Sequence, residues 1–213
     1  MKKFCCLFSI LFLNVNAWAA ETTNYIGPTS LSDVQLSDII ITGPANLVNV
    51  TLSFAKIVGT LQFEKLTVDN EINIIGPVDG ALGKFNNLIV TGSLSIEDTE
   101  INSLKVVGPT RLENVKIKNS ANIVGYFEAK KSTLHNITIT SDDAKLSHTT
   151  VNNILVEKNS HKFNSPRTQT LKIENGTIIN GNITFESKLG KILTSKDSKI
   201  NGKIIGAAIH NLE

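Results

Sequence analysis

The chain has 213 residues, 21 Lys and Arg against 19 Asp and Glu, and an apolar content of 41%. The near-neutral balance excludes a basic field for holding nucleic acid, and the apolar content excludes wholesale disorder. Gly, Asn and Ser interrupt the chain too often for several membrane spans.

In chain order, an address comes first. Lys2 and Lys3 precede a ten-residue apolar run from Phe4 to Leu13, and Ala17-Trp18-Ala19 places small residues where a signal peptidase reads. Residues 1–19 are therefore expected to be a secretory signal of bacterial type, cut after Ala19. The run is shorter than the roughly 20 apolar residues a permanent span needs, so no transmembrane anchor is expected after cleavage. An uncut N-terminal anchor is the alternative. Export would deliver the protein to the periplasm, the cell surface or the medium. Cys5, Cys6, Trp18 and Met1 all fall in this segment. The remainder has no thiol, hence no disulfide, no Cys ligand and no Cys nucleophile. Without Lys2 and Lys3, cations equal anions, which argues against capture of nucleic acid or anionic lipid by charge. Residues 20–25 read as a flexible lead-in.

A repeat then governs residues 26–158. Gly27, Gly43, Gly59, Gly76, Gly92, Gly108 and Gly125 are spaced by 16 or 17 residues, and the frame continues at Ser141 and Lys158. Ahead of each marker stand three apolar residues in a fixed pattern, such as Leu36, Ile39 and Ile41 before Gly43, or Ile101, Leu104 and Val106 before Gly108. The 17-residue turns carry one extra residue between Val68 and Ile72 and between Ile117 and Ala121. A second apolar segment lies just upstream in four turns, as in Leu31-x-x-Val34-x-Leu36 and Leu112-x-x-Val115-x-Ile117. Alternation at period two, rich in Val, Ile and Thr, is strand-like. The recurring Gly interrupts every segment before a helix could form.

Regular corners complete the pattern. Six positions before each marker stand Ser37, Ser53, Asn70, Asn86, Asn102, Asn119, His135 and Asn152. Asn tolerates left-handed backbone and bonds locally, so this column is expected to form one corner, its amides bonding along the axis. The marker Gly, often followed by Pro, is a second corner. One coil buries too little apolar surface to offset its ordering, so coils must stack. The expectation is an all-β, single-domain parallel β-solenoid of short 16–17-residue coils, right-handed by the crossover rule. Residues 159–169 (NSHKFNSPRTQ) are polar and read as an inserted loop, and 170–213 as terminal, less regular coils.

Candidate chemistry is sparse, and no catalytic residue is assigned. His135, His148, His161 and His210 show no metal-ligand spacing. His135 stands in the corner column, and His161, in the loop, is the most plausible catalytic histidine. Glu97-Asp98 and Asp142-Asp143 read as solvated turns, with calcium at Asp142-Asp143 as a minor alternative. No phosphate-loop, dinucleotide or nucleophile-elbow motif occurs. No metal or cofactor is expected. One row stands out: Thr42, Val58, Ile75, Thr91, Val107, Val124 and Thr140 immediately precede the markers. Strict alternation turns this row outward, as an interaction stripe; alternatively it rounds a corner and is half-buried.

These features point to an exported, non-enzymatic structural or binding protein that self-associates end to end or presents a surface for adhesion to protein or glycan. A carbohydrate-binding or carbohydrate-active β-helix protein is the alternative, although only Tyr25, Tyr126, Arg111 and Arg167 supply the side chains such grooves use. Binding to ice or mineral, suggested by the Thr and Val row, ranks last for want of a repeated T-x-T. The apolar alternation with a Gly corner resembles that of other short-coil β-solenoids, bactofilin-type polymerising proteins included. The export signal departs from those cytoplasmic polymers, and no functional residue is carried over.

Overall fold

A computed structural model describes residues 22–159 and 168–212. The expected signal segment lies outside the described residues, as do His161 and most of the expected loop. All regular structure among the described residues is β-strand, wound as parallel coils of about 17 residues into a β-solenoid of about 11 turns.

Each coil has three sides, and alternation sets what fills them. On the first face, Tyr25, Ile41, Ile57, Ile74, Val90, Val106, Ile123 and Ile139 stack in register along one interior column. On the third, Leu52, Val68, Phe85, Ile101, Ile117 and Leu134 do the same. From Ile41 onward these side chains are buried. The strand-to-strand hydrogen bonds run along the axis, so every inner coil is held on both sides. The two 17-residue coils shift register between Val68 and Glu71 and between Ile117 and Ser120, where the spacing placed the extra residue. Phe63 and Phe85 meet edge to face at 5.4 Å. Gly80 makes room for them, since a Cβ there would reach within 2.5 Å of the Phe63 ring.

The Gly corner is built as expected. Gly92 and Gly108 hold φ of +148° and +147°, and a Cβ on Gly108 would lie 2.6 Å from the Gly92 carbonyl carbon. The left-handed corner lies elsewhere than expected. Positive φ occurs at Asp33, Asn49, Lys65, Leu82, Asp98, Asn114, Lys131 and His148, between the second and third faces, and at none of the predicted Asn column. The reason is geometric: an extra residue or a short polar pair rounds the Asn column without a left-handed step. The expected amide bonding does occur there once, Asn102 Nδ2 donating to Asn86 Oδ1 at 3.1 Å. The left-handed corner carries its own side-chain bonds between coils, from Asn49 to Asp33 at 2.6 Å and from Asn114 to Asp98.

Next to that corner runs a buried hydroxyl column. Thr99, Ser132, Thr149 and Thr177 replace the apolar residues that Val50, Leu66 and Val115 supply in other coils. Each hydroxyl donates to a carbonyl of its own coil, as Thr149 does to Ser147 at 2.9 Å. Each also accepts a backbone N–H from the preceding coil, as Ser132 does from Val115 at 3.0 Å. Buried polar groups are thereby satisfied within the wall.

Two boundaries differ from expectation. The first strand, Thr22–Ile26, pairs residue by residue with Asp38–Thr42, so 22–25 belong to the coil rather than to a lead-in. Gln169 opens the strand Gln169–Glu174 and is buried. Its Nε2 donates to the carbonyls of Ser141 and Glu157 at 3.0 and 2.7 Å, clamping the base of the connection. The later coils are irregular but stay in the stack, with Ile183–Phe185 paired to 154–156 and Ala207–Asn211 paired to Gly190–Thr194.

Candidate interaction surfaces

The seven marker-adjacent residues form one column. Thr42, Val58, Ile75, Thr91, Val107, Val124 and Thr140 are register partners in turn on successive coils of the first face. Val58, Ile75, Val107 and Val124 are 39–49% exposed, Thr42 and Thr91 are exposed, and Thr140 is half-buried. The row therefore faces outward rather than rounding a corner. Ile26 extends it to the first coil.

Two further outward columns share this face. One holds Asn24, Ile40, Lys56, Asn73, Ile89, Lys105, Asn122, Thr138 and Leu155; the other begins Thr22, Asp38, Phe54, Glu71 and Asn87. The first of these repeats less by the single coil than by three. Asn24, Asn73 and Asn122 stand 49 residues apart, as do Ile40 and Ile89, and Lys56 and Lys105. The marker-adjacent column follows the same period, Ile26-Thr42-Val58 and then Ile75-Thr91-Val107. Coils of 16, 16 and 17 residues make one period, which carries the extra residue once. Sequence reasoning missed these two columns because it followed the markers one coil at a time.

The second face is charged. An open groove of about 710 Å³ is lined by Glu64, Asp79, Glu97, Arg111, Glu113, Glu128 and Lys130 above a floor that includes Phe63 and Ile96. Its charges pair across coils: Lys130 Nζ lies 3.1 Å and Lys131 Nζ 3.5 Å from Glu113, and Arg111 Nε 3.6 Å from Glu128. Tyr126, part-exposed, donates to Glu128 at 3.3 Å. Burial and then the Glu128 carboxylate push its phenol above the ordinary range. Lys130, by hydrogen bond and charge, holds the Glu113 carboxyl below the usual carboxylate range. A carboxyl so held is a weak base and a poor proton donor near neutrality.

The remaining candidates are dispersed. His135 is exposed at its corner, His148 takes the left-handed corner with Nδ1 3.2 Å from the Ser147 hydroxyl, and His210 lies on the last strand. Asp142 accepts Asn159 Nδ2 at 3.1 Å, while Asp143 is tied through its backbone to Ser141. Among the described residues, no three His, Cys, Asp or Glu side chains gather as metal ligands. No described helix is long and apolar enough to cross a membrane.

Both ends of the described stack are apolar in cross-section. Tyr25, Leu31, Val34 and Leu36 of the first coil are only partly buried, although their equivalents one coil on are nearly inaccessible. At the other end Ile209, in an interior column beside Ile192, is 52% exposed. No protein-family model, curated protein or solved structure matches the chain.

Proposed function

We propose that this is an exported, non-enzymatic structural or binding protein whose working part is the outside of the coil. The observation that carries this reading is the row on the first face, exposed at every coil from Ile26 to Val124. β-Branched side chains at Val58, Ile75, Val107 and Val124 stay in water at a cost that an adhesive surface would recover. The half-covered apolar ends support joining end to end, since an unpaired parallel strand is a template for another. Cell fractionation tests export: the chain accumulates outside the cytoplasm, shortened at its N terminus. Retention in the cytoplasm at full length removes that part. Sedimentation at rising concentration tests end joining: species lengthen with concentration, and lengthening stops in Ile209→Lys. A single species of fixed size removes it.

A second reading, glycan binding, is favoured at the edge of the groove on the second face, where Tyr126 bonds to the Glu128 that pairs with Arg111. An exposed aromatic next to a paired guanidinium suits a sugar ring and its hydroxyls. A glycan array probed with the purified chain and with Tyr126→Ala decides it. Signals lost in the variant support this reading, and an array without signal removes it.

A further inference from the structure

The marker-adjacent column of the first face matches itself when the order of coils is reversed. Read outward in both directions from the coil of 87–91, the marker-adjacent column gives Ile75 against Val107, Val58 against Val124 and Thr42 against Thr140. Thr91 is its own counterpart, and so is Ile89 in the neighbouring column. Four charges lie among the outward residues of these coils, Asp38 and Glu71 against Lys56 and Lys105, and they cancel.

We infer that the first face is an interface for a second copy of this chain, paired about a two-fold axis that runs along the strands through 87–91. This deepens the reading of that face as the working surface and rests on it. A rotation about that axis keeps each column opposite itself and reverses the coils. Ile89 then meets the partner's Ile89, and aliphatic meets aliphatic or Thr meets Thr along the exposed row. Glu71 comes to lie one column from the partner's Lys105 on the facing coil, and the symmetry makes that pairing twice. The two sheets meet as aligned layers, the usual way for sheet faces to close.

The area suffices. Seven coils at about 4.8 Å and five residues at about 3.3 Å make a face of roughly 550 Å². Two such faces bury about 1,100 Å², above the ~1,000 Å² that a specific interface clears. The three-coil period creates a second matching centre, between 54–58 and 71–75, where Ile89 would meet the partner's Ile40. That alignment engages six coils against seven, and it is the lesser one.

Charge exchange at the axis tests the pairing. Lys56 and Lys105 already occupy the column of Ile89, so a charged side chain fits there. Sedimentation of the full exported chain should give a dimer, and Ile89→Lys and Ile89→Asp should each give a monomer with unchanged far-ultraviolet spectrum and melting. An equimolar mixture of the two should restore the dimer, because each Lys then faces an Asp. Thr91→Lys with Thr91→Asp repeats the test at the other self-facing position, should either Ile89 variant fold poorly. A monomeric parent chain, variants that stay dimeric, or mixtures that stay monomeric overturn the inference. Rescue of Ile89→Lys by Ile40→Asp instead of Ile89→Asp overturns this axis. Lengthening species indifferent to both positions also overturn it while leaving end joining intact, whereas a fixed dimer leaves the face pairing intact and removes end joining.

Discussion

Replacing Gly108 by Ala should cost far more than the same change at Gly27, because only one of them has a coil packed against its missing side chain. At Gly108, φ is +147°, and a Cβ would lie 2.6 Å from the Gly92 carbonyl carbon and nearer still to its oxygen. At Gly27, φ is +97° and nothing lies within 4 Å. The backbone conformation at Gly108 costs a side-chain-bearing residue about 1–3 kcal/mol. Relieving the overlap requires the coils to part by about 1 Å at this corner, because real contacts of this kind begin near 3.3 Å. The parting strains the hydrogen bonds from Gly92 N to Val107 O and from Leu94 N to Pro109 O, both at 2.9 Å, each worth about 1 kcal/mol. Gly108→Ala should therefore lose about 3–5 kcal/mol, and Gly27→Ala only the strain of about 1–3. Urea unfolding followed by far-ultraviolet dichroism gives both values, and amide exchange of the 92–125 region shows whether loosening is local, as expected where each coil contacts only its neighbours. Equal costs at the two positions would refute the argument that stacking, rather than the turn alone, requires Gly.

Thr149→Val, which keeps the volume but removes the hydroxyl, should destabilise by about 1–3 kcal/mol, since the Ser132 N–H loses its buried acceptor. Thr149→Ser should be close to neutral in the same denaturation assay. Hydrogen bonding and charge from Glu174 hold the Lys145 ammonium above its ordinary range, at 3.0 Å. A raised folded-state value gives stability that is complete below the unfolded value of about 10.4 and lost as pH rises through the raised one. Melting temperature should thus fall less steeply on the alkaline side in Lys145→Met than in the parent. Lys118 holds Glu100 below the usual carboxylate range, so its contribution is lost as pH falls through the lowered value. Both partners are about half exposed, and Glu100→Gln should move acid unfolding only slightly.

The fold was legible because its two strongest signals are chemically pure. Gly43 to Gly125 mark a position where any Cβ collides with the coil before it, and Ile39, Ile57 or Val106 mark positions that no water reaches. The left-handed corner was illegible for the opposite reason: Asp33, Lys65, Leu82 and His148 share a backbone state but no side-chain chemistry. Asn at 86, 102 and 119 drew attention to the wrong column, where its role is a side-chain bond between coils. The buried hydroxyls carry no signal in the sequence, since an N–H supplied by the preceding coil is visible only once coils are stacked. Of the candidate surface, the row from Thr42 to Thr140 could be counted off the markers. Its exposure depended on where the strand ends relative to the corner, which alternation alone leaves open. The three-coil period was hidden by the one-residue difference between coils.

The most direct test of the stacked coil is a set of inter-strand nuclear Overhauser contacts in the purified chain. The account predicts contacts linking Val90 to Val106 and Val106 to Ile123, at separations of 16 and 17 residues, and onward to Ile139 along the same column. Contacts confined to neighbours in sequence, or strands paired antiparallel through adjacent hairpins, would contradict it.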